Sequence, residues 1–263
     1  MPLRDPRDAP KYSFGGVGIS CTNMKDAVDA LFRTARDGSG GYYAFTCAHG
    51  IVDSQKDERL REILNGSRYT MPDGMPTVWL GKMKGQQIDR VTAPDFFETV
   101  MADPRAKTIR HYFYGASPET IEKIAKRAIA MVGEVAVAGW RSPPMRPAGA
   151  MEDPEVIADI AARRPHVIWV GLGLPKQEYW MQNHSPLLPH SLMLGVGAAF
   201  DWFAGVQPRA PKYVQAMGME WVHRVVSEPK RVGPRYARLI KPGLKIFAQE
   251  ILGGRKQPPH AAA

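Results

Sequence analysis

The chain has 263 residues, a net charge of +9, 44% hydrophobic residues and two cysteines. That length suits one large domain, or one domain with an appendage, and argues against an extended multidomain array. Cys21 and Cys47 cannot build a disulfide framework, no apolar run approaches the ~20 residues of a membrane span, and the N-terminus lacks the apolar core of a secretion signal, so a soluble cytoplasmic protein is expected.

In chain order, residues 25–36 read as an amphipathic helix, 42–48 (YYAFTCA) as a strand and 57–64 as a helix. RYTMPDGMP (68–76) reads as a short strand entering a turn. From 107 to 204 strands and helices alternate. Strand 108–115 is followed by a helix reaching about 131, with Ser117 as its N-cap and Pro118 in its first position. Strand 134–140, helix 152–164, strand 166–173, a short helix near 176–182 and strand 191–197 follow. HVIWVGLG (166–173) is almost wholly apolar, as a strand covered on both faces should be. The alternation predicts an α/β fold: a Rossmann-like parallel sheet core with right-handed crossovers. GWRSPPMRPAG (139–149) reads as a mobile connection beside the carboxyl end of a strand, and 210–227 as helical. Pro229 and Pro234 are expected to interrupt regular structure beyond 227, and the final QPPHAAA reads as disordered.

The charge is unevenly placed. Residues 205–263 hold 11 Lys and Arg against three acids, so the tail carries +8 and the preceding 204 residues only +1. That split predicts a core over 1–205 and a basic helical C-terminal appendage over 206–263. Between Glu228 and Glu250 the bases Lys230, Arg231, Arg235, Arg238, Lys241 and Lys245 interleave with Leu239, Ile240, Leu244 and Phe247 at roughly helical spacing. Pro242 and Gly243 interrupt the pattern, so two short pieces are expected rather than one helix. The stripe suits an anionic membrane surface. It also suits packing against the protein's own body.

Two glycine-rich turns end strands, GLGLPKQE (171–178) and GVGAAFD (195–201). Small residues there let backbone N–H groups approach an anion, and ligands of open α/β sheets bind at the carboxyl ends of strands. Gly171, Gly173, Gly195 and Gly197 are therefore candidate substrate-binding residues, and Gln177, Glu178 and Asp201 of the same two segments are taken as candidates with them. Neither turn fits GxGxxG, which disfavours a nicotinamide enzyme, and both also read simply as tight strand–helix turns. No Walker loop, HExxH, paired CxxC or GxSxG occurs. Nor does an Asp-x-Asp element, so no metal is expected. A departing diphosphate would instead meet arginine, lysine or helix N-termini, with Arg224, Arg231 and Arg235 spaced through the tail. Asp73, in MPDGMP, is either an ordinary turn aspartate or a carboxylate at a cleft mouth whose pKa partial burial raises for base work. Thr46 and His49 follow a strand, where they can hydrogen-bond a substrate.

From about residue 17 to 247 the chain resembles the WecG/TagA/CpsF family of bacterial glycosyltransferases. The resemblance is carried by PDGMPTVW (72–79), RVTAPD (90–95), VGLGLPKQE (170–178), GVGAAFDWFAG (195–205), RAP (209–211) and MEWVHRVVSEPKR (219–231). It implies inverting, metal-independent transfer of a hexosyl or N-acetylhexosaminyl group from a UDP-sugar to a polyprenyl-pyrophosphate-linked saccharide. The product would feed exopolysaccharide or cell-envelope polysaccharide synthesis, with the enzyme peripheral on the inner face of the cytoplasmic membrane. It implies that the appendage closes over the nucleotide and touches the anionic membrane. A homo-oligomer is allowed, and nucleic acid is not expected.

By the same resemblance, Asp73 matches the general base and Thr46 a neighbouring hydroxyl; should Asp73 not serve, His49 is the next candidate base. Arg90 and Gln177 match cleft residues, and Arg224 and Arg231 match arginines that meet the diphosphate. The chain departs from the family pattern at Ala48, Ala93 and Pro234, where Arg235 stands one residue later, and SPPMRP (142–147) looks like a subgroup feature. Two other readings stay open: an inactive sugar-nucleotide-binding scaffold, and a basic nucleic-acid-binding protein.

Overall fold

The computed structural model describes residues 8–227 and 229–254, with the backbone alone for 216, 224, 231, 232, 235, 236, 253 and 254. An antiparallel hairpin of β1 (Lys11–Phe14) and β2 (Val17–Ser20) leads into α1 (Met24–Arg36). Next come β3 (Gly41–Thr46), α2 (Ala48–Ser54), α3 (Glu58–Gly66), β4 (Tyr69–Pro72), α4 (Met75–Met83) and α5 (Ala93–Ala102). The second half holds β5 (His111–Gly115), α6 (Pro118–Val132), β6 (Val137–Arg141), α7 (Pro154–Ala162), β7 (Val167–Gly171), α8 (Lys176–His184), β8 (Leu192–Gly195) and α9 (Ala199–Phe203). After it come α10 (Lys212–Ala216), α11 (Glu220–Ser227) and α12 (Pro229–Gly254).

Strands β3 to β8 form one parallel sheet in the order β4-β3-β8-β7-β5-β6. Side chains alternate across it with period two. Phe113, Trp169 and Leu194 enter the core beneath α1, α5, α6 and α9. Tyr112, Tyr114, Ile168, Val170 and Met193 enter the core beneath α3, α7 and α8. With both faces covered, the central strands are apolar throughout, which is why HVIWVGLG has no polar side. Ser117 caps α6, accepting the Thr120 N–H at 3.2 Å with Pro118 beside it, as the sequence predicts. All the strands point one way, so β3, β4, β5, β6, β7 and β8 end along a single edge.

The expectations fail in places. The YYAFTCA strand stops at Thr46, because Cys47 turns the chain into α2. Residues 210–227 form two helices rather than one, parted at Gly218. There φ is +70°, and a Cβ would lie 2.3 Å from Met75 Cγ, so only glycine fits the approach of this segment to α4. The largest departure is α12, a single helix running through Pro234 and Pro242 where two pieces were expected. An interior proline costs roughly 3 kcal/mol, and the docked second half of α12 offsets it. Ile246, Phe247 and Ile251 pack against the cluster around Phe14, Ile19 and Ile51, and Phe14 meets Phe247 edge-on at 6.0 Å. Glu250 accepts the Gly15 N–H at 2.7 Å and Lys84 Nζ at 2.5 Å. The apolar stripe is thus divided, since Ile240, Leu244 and Leu252 remain exposed. The QPPHAAA segment lies outside the described residues.

Candidate active site

Thr46 and Pro72 pair as sheet neighbours, so the residues just beyond them emerge side by side. Asp73 comes directly after Pro72, and Gly74 caps α4. Burial pushes the Asp73 carboxyl up to about 7; the nearby negative charges of Glu220 and Asp95 act in the same sense. The Ala93 N–H, first in α5, and the Arg90 guanidinium pull the other way. A carboxyl that titrates near neutrality is suited to taking and giving a proton at physiological pH.

Asp73 opens onto a cavity of about 890 Å³. His49 and Arg90 line it too, so the structure brings three of the predicted residues around one space. His49 sits in the first turn of α2, with Nε2 3.1 Å from Asp53 Oδ2. Arg90 Nη2 donates to the Gln215 carbonyl at 2.6 Å, which ties it to α10. Thr46 is fully buried behind Asp73, and its hydroxyl has no hydrogen-bond partner among the described residues. The rest of the wall is largely apolar: Trp79 from α4, Trp202 from α9, Met219 and Trp221 around the start of α11, and Leu239 and Leu244 from α12.

The two glycine turns are laced together by Gln177. Its Nε2 donates to the Gly195 carbonyl at 2.8 Å and to Glu178 Oε1 at 2.9 Å, while its Oε1 accepts the Gly173 N–H at 3.2 Å. Glu178 is fully buried, which pushes its carboxyl up to about 7, and its Oε2 has no partner among the described residues. Gly171 has a steric role: a Cβ there would lie 2.2 Å from Phe200 Cδ2. Gly197, at φ +52°, turns the chain towards α9, whose first turn holds Asp201. The Asp201 carbonyl accepts the N–H groups of Val206 and Gln207 at 2.9 and 3.3 Å. Arg224 lies on α11 and Arg231 and Arg235 on α12, but their side chains are outside the described residues.

A second cavity, of about 400 Å³, lies at the carboxyl ends of β5 and β7 and is roofed by the SPPMRP loop. From β5 the chain proceeds outward to β6, and from β7 it turns the other way to β8. The two neighbours therefore part at a topological switch point, the place where open α/β sheets bind ligands. Its walls include Tyr114 stacked on Trp180 with centroids 4.4 Å apart, Ser117 at the start of α6, and Lys176. The loop is held by Ser142 Oγ donating to the Ala116 carbonyl at 2.7 Å and by Arg146 paired with Glu152 at 2.9 Å.

Sequence reasoning missed this cavity and one polar assembly. Arg209 Nη1 donates to Asp95 Oδ1 at 2.5 Å and its Nε to Glu220 Oε1 at 3.0 Å. The only signal was that Asp95, Arg209 and Glu220 each fall in a motif segment (RVTAPD, RAP and MEWVHRVVSEPKR) with no role assigned.

Comparison with known proteins places the chain further. The Glycosyl transferase WecG/TagA/CpsF family model matches residues 12–257. Over 213 residues the chain is 28% identical to the N-acetylglucosaminyldiphosphoundecaprenol N-acetyl-beta-D-mannosaminyltransferase of Bacillus spizizenii, an alignment covering 80% of each protein.

Proposed function

The chain belongs to the WecG/TagA/CpsF family of glycosyl transferases, and from that premise we propose that it moves a sugar from a UDP-sugar to a polyprenyl-pyrophosphate-linked saccharide for exopolysaccharide or cell-envelope polysaccharide synthesis. The observation that carries the proposal is the Asp73 carboxyl, near-neutral in pKa, opening onto a large and mostly apolar cavity. Asp73 takes the proton of an acceptor hydroxyl as that oxygen attacks the anomeric carbon. The bond from that carbon to the diphosphate oxygen breaks on the opposite face, and its electron pair leaves with UDP, so the configuration inverts.

The acceptor fits the larger cavity, whose apolar walls suit the first isoprene units of a lipid carrier; the Bacillus relative is named for a diphosphoundecaprenol substrate. The donor fits the second cavity. There the N-terminal end of α6 favours an anion, and Lys176 stands on its wall. Where the leaving diphosphate extends towards the larger cavity, which α11 and α12 line, its gathering charge is met by Arg224, Arg231 and Arg235 of the appendage, residues 206–263. A reaction without a metal ion is supported by the missing Asp-x-Asp element.

No helix among the described residues is long and apolar enough to cross a membrane. The proposed attachment is peripheral, at the inner face of the cytoplasmic membrane. Exposed Ile240 and Leu244 of α12 enter the lipid, and Lys241 and Lys245 meet anionic headgroups. Mass spectrometry of reactions offering a polyprenyl-pyrophosphate N-acetylglucosamine and a panel of UDP-sugars tests the proposal. One lipid product heavier by a glycosyl residue is expected. Release of free sugar alone, or no product across the panel, would overturn it.

A further inference from the structure

The assembly missed in the sequence lies between the core and the helices that cover the site. Arg209, 16% exposed, grips carboxylates from both sides. Asp95 belongs to the first turn of α5 and Glu220 to the first residue of α11. The guanidinium reaches Glu220 with two nitrogens, Nε to Oε1 at 3.0 Å and Nη2 to Oε2 at 3.4 Å, the forked geometry that lysine cannot reproduce. The other oxygen of Asp95 accepts from Thr92 Oγ1 at 2.6 Å. Thr92 is the N-cap of α5, and the N–H of the next residue, Ala93, favours the ionised form of Asp73. The clamp therefore ends on the helix start that lies beside the site carboxyl.

We propose that Arg209 is a positioning residue for the transfer reaction: by clamping Glu220 of α11 to Asp95 of the core, it seats the covering helices over Asp73 and fixes a negative charge beside it. This rests on the reading of Asp73 as the base. Two acids share one arginine, so the trio keeps a net negative charge that neighbouring solvent only partly screens. A trio of this kind is a poor device for stability, because desolvation offsets most of its attraction. Its geometry is better explained by where it places Glu220. Two other contacts hold the same lid: Arg90 Nη2 on the Gln215 carbonyl and Met75 packed against Gly218.

Among the described residues, the groups facing Asp73 are Cys47 and His49 from the start of α2, Arg90 and Asp95 from the segment entering α5, and Glu220 and His223 from α11. Of these, Glu220 is the charge that raises the carboxyl most. It is also the one that departs if α11 lifts. Base strength and closure are thereby coupled: an open site would hold a weaker base, and a closed one a base tuned to neutral pH.

The test uses the full chain without substrate. The Asp73 carboxyl is titrated by isotope-edited infrared or carbon NMR, its signal identified by loss in Asp73→Asn, and amide exchange is measured over residues 220–227. Glu220→Gln keeps a hydrogen-bonding partner for Arg209, so exchange stays near wild type while the Asp73 midpoint falls by about half a pH unit or more. Arg209→Ala frees α11, and its exchange rises at least about tenfold; Arg209→Lys restores only part of the protection. Coincident Asp73 midpoints in wild type and Glu220→Gln, or unchanged α11 exchange in Arg209→Ala, would overturn the clamp. Neither readout uses turnover. An active Asp73→Asn enzyme would therefore remove the base assignment while leaving the clamp to be judged on exchange and titration.

Discussion

The N–H of Asp73 donates to the carbonyl of Thr46 across 3.2 Å, one residue past the point where Thr46 and Pro72 pair in the sheet. The proposed base is therefore positioned by strand register, before any loop contributes. Rigid placement on strand ends is what keeps a reacting group within the narrow tolerance that catalysis needs.

If Asp73 must be ionised to act, kcat/KM rises with pH through a midpoint of about 7 and levels off above it. One unit below the midpoint, activity is about tenfold under the plateau. Initial rates between pH 5 and 9 check this; a profile flat across that range, as an ordinary carboxylate would give, would contradict the tuned base.

Lys176 stands in the wall of the smaller cavity, its ammonium 3.8 Å from Met145 Sδ. If UDP binds there, Lys176→Ala weakens UDP affinity by about tenfold, the loss expected for one charge-assisted contact. Titration calorimetry with UDP reads it directly, and unchanged affinity would move the nucleotide out of this cavity.

The two faces of α12 should separate by assay. Phe247 packs on Phe14, so Phe247→Ala costs about 2 kcal/mol of folding stability. Ile240 and Leu244 are exposed, so Ile240→Ser and Leu244→Ser together leave stability within about 0.5 kcal/mol. That pair nevertheless lowers partitioning onto anionic vesicles by about tenfold or more. Urea unfolding and vesicle sedimentation measure the two effects on the same variants.

His111 makes stability depend on pH away from the site. Its Nδ1 accepts the Trp169 indole N–H at 3.1 Å, so Nε2 carries the proton given to the Ala106 carbonyl at 3.0 Å. Burial pushes its pKa from 6.5 down to about 4. The unfolded chain takes up a proton near 6.5 that the folded one refuses, so this contribution is complete above 6.5. It is lost as pH falls towards 4, by about 3 kcal/mol in all. Urea midpoints at pH 7 and 5 should differ more in wild type than in His111→Gln.

The half of the chain from 107 to 204 was legible because its strands are buried on both faces and its helices carry clear signals, such as Ser117 with Pro118. The β1–β2 hairpin escaped notice because each strand is only four residues long. α4, the segment MPTVWLGKM, has no polar face to mark it as amphipathic, and it comes after a turn whose most conspicuous residue is Asp73. α12 was misread because local proline rules were applied to a helix held by distant partners, Gly15 and Lys84 among them. In the site, Asp73 and the glycine turns could be found from motifs within single segments. The clamp could not, because Asp95, Arg209 and Glu220 meet only after the sheet brings three remote segments together. Gln177 and Gly195 were each noted, but their bond links turns that no sequence spacing relates.

The most direct measurement of the central claim is turnover of Asp73→Asn beside wild type, with UDP affinity determined on the same preparations. The amide keeps the shape of the carboxylate and removes its basicity. Turnover should fall by about 10²–10⁴-fold, the usual worth of general-base help, while the Kd for UDP stays within about twofold. Wild-type-like turnover in Asp73→Asn would contradict the account and pass the role of base to His49.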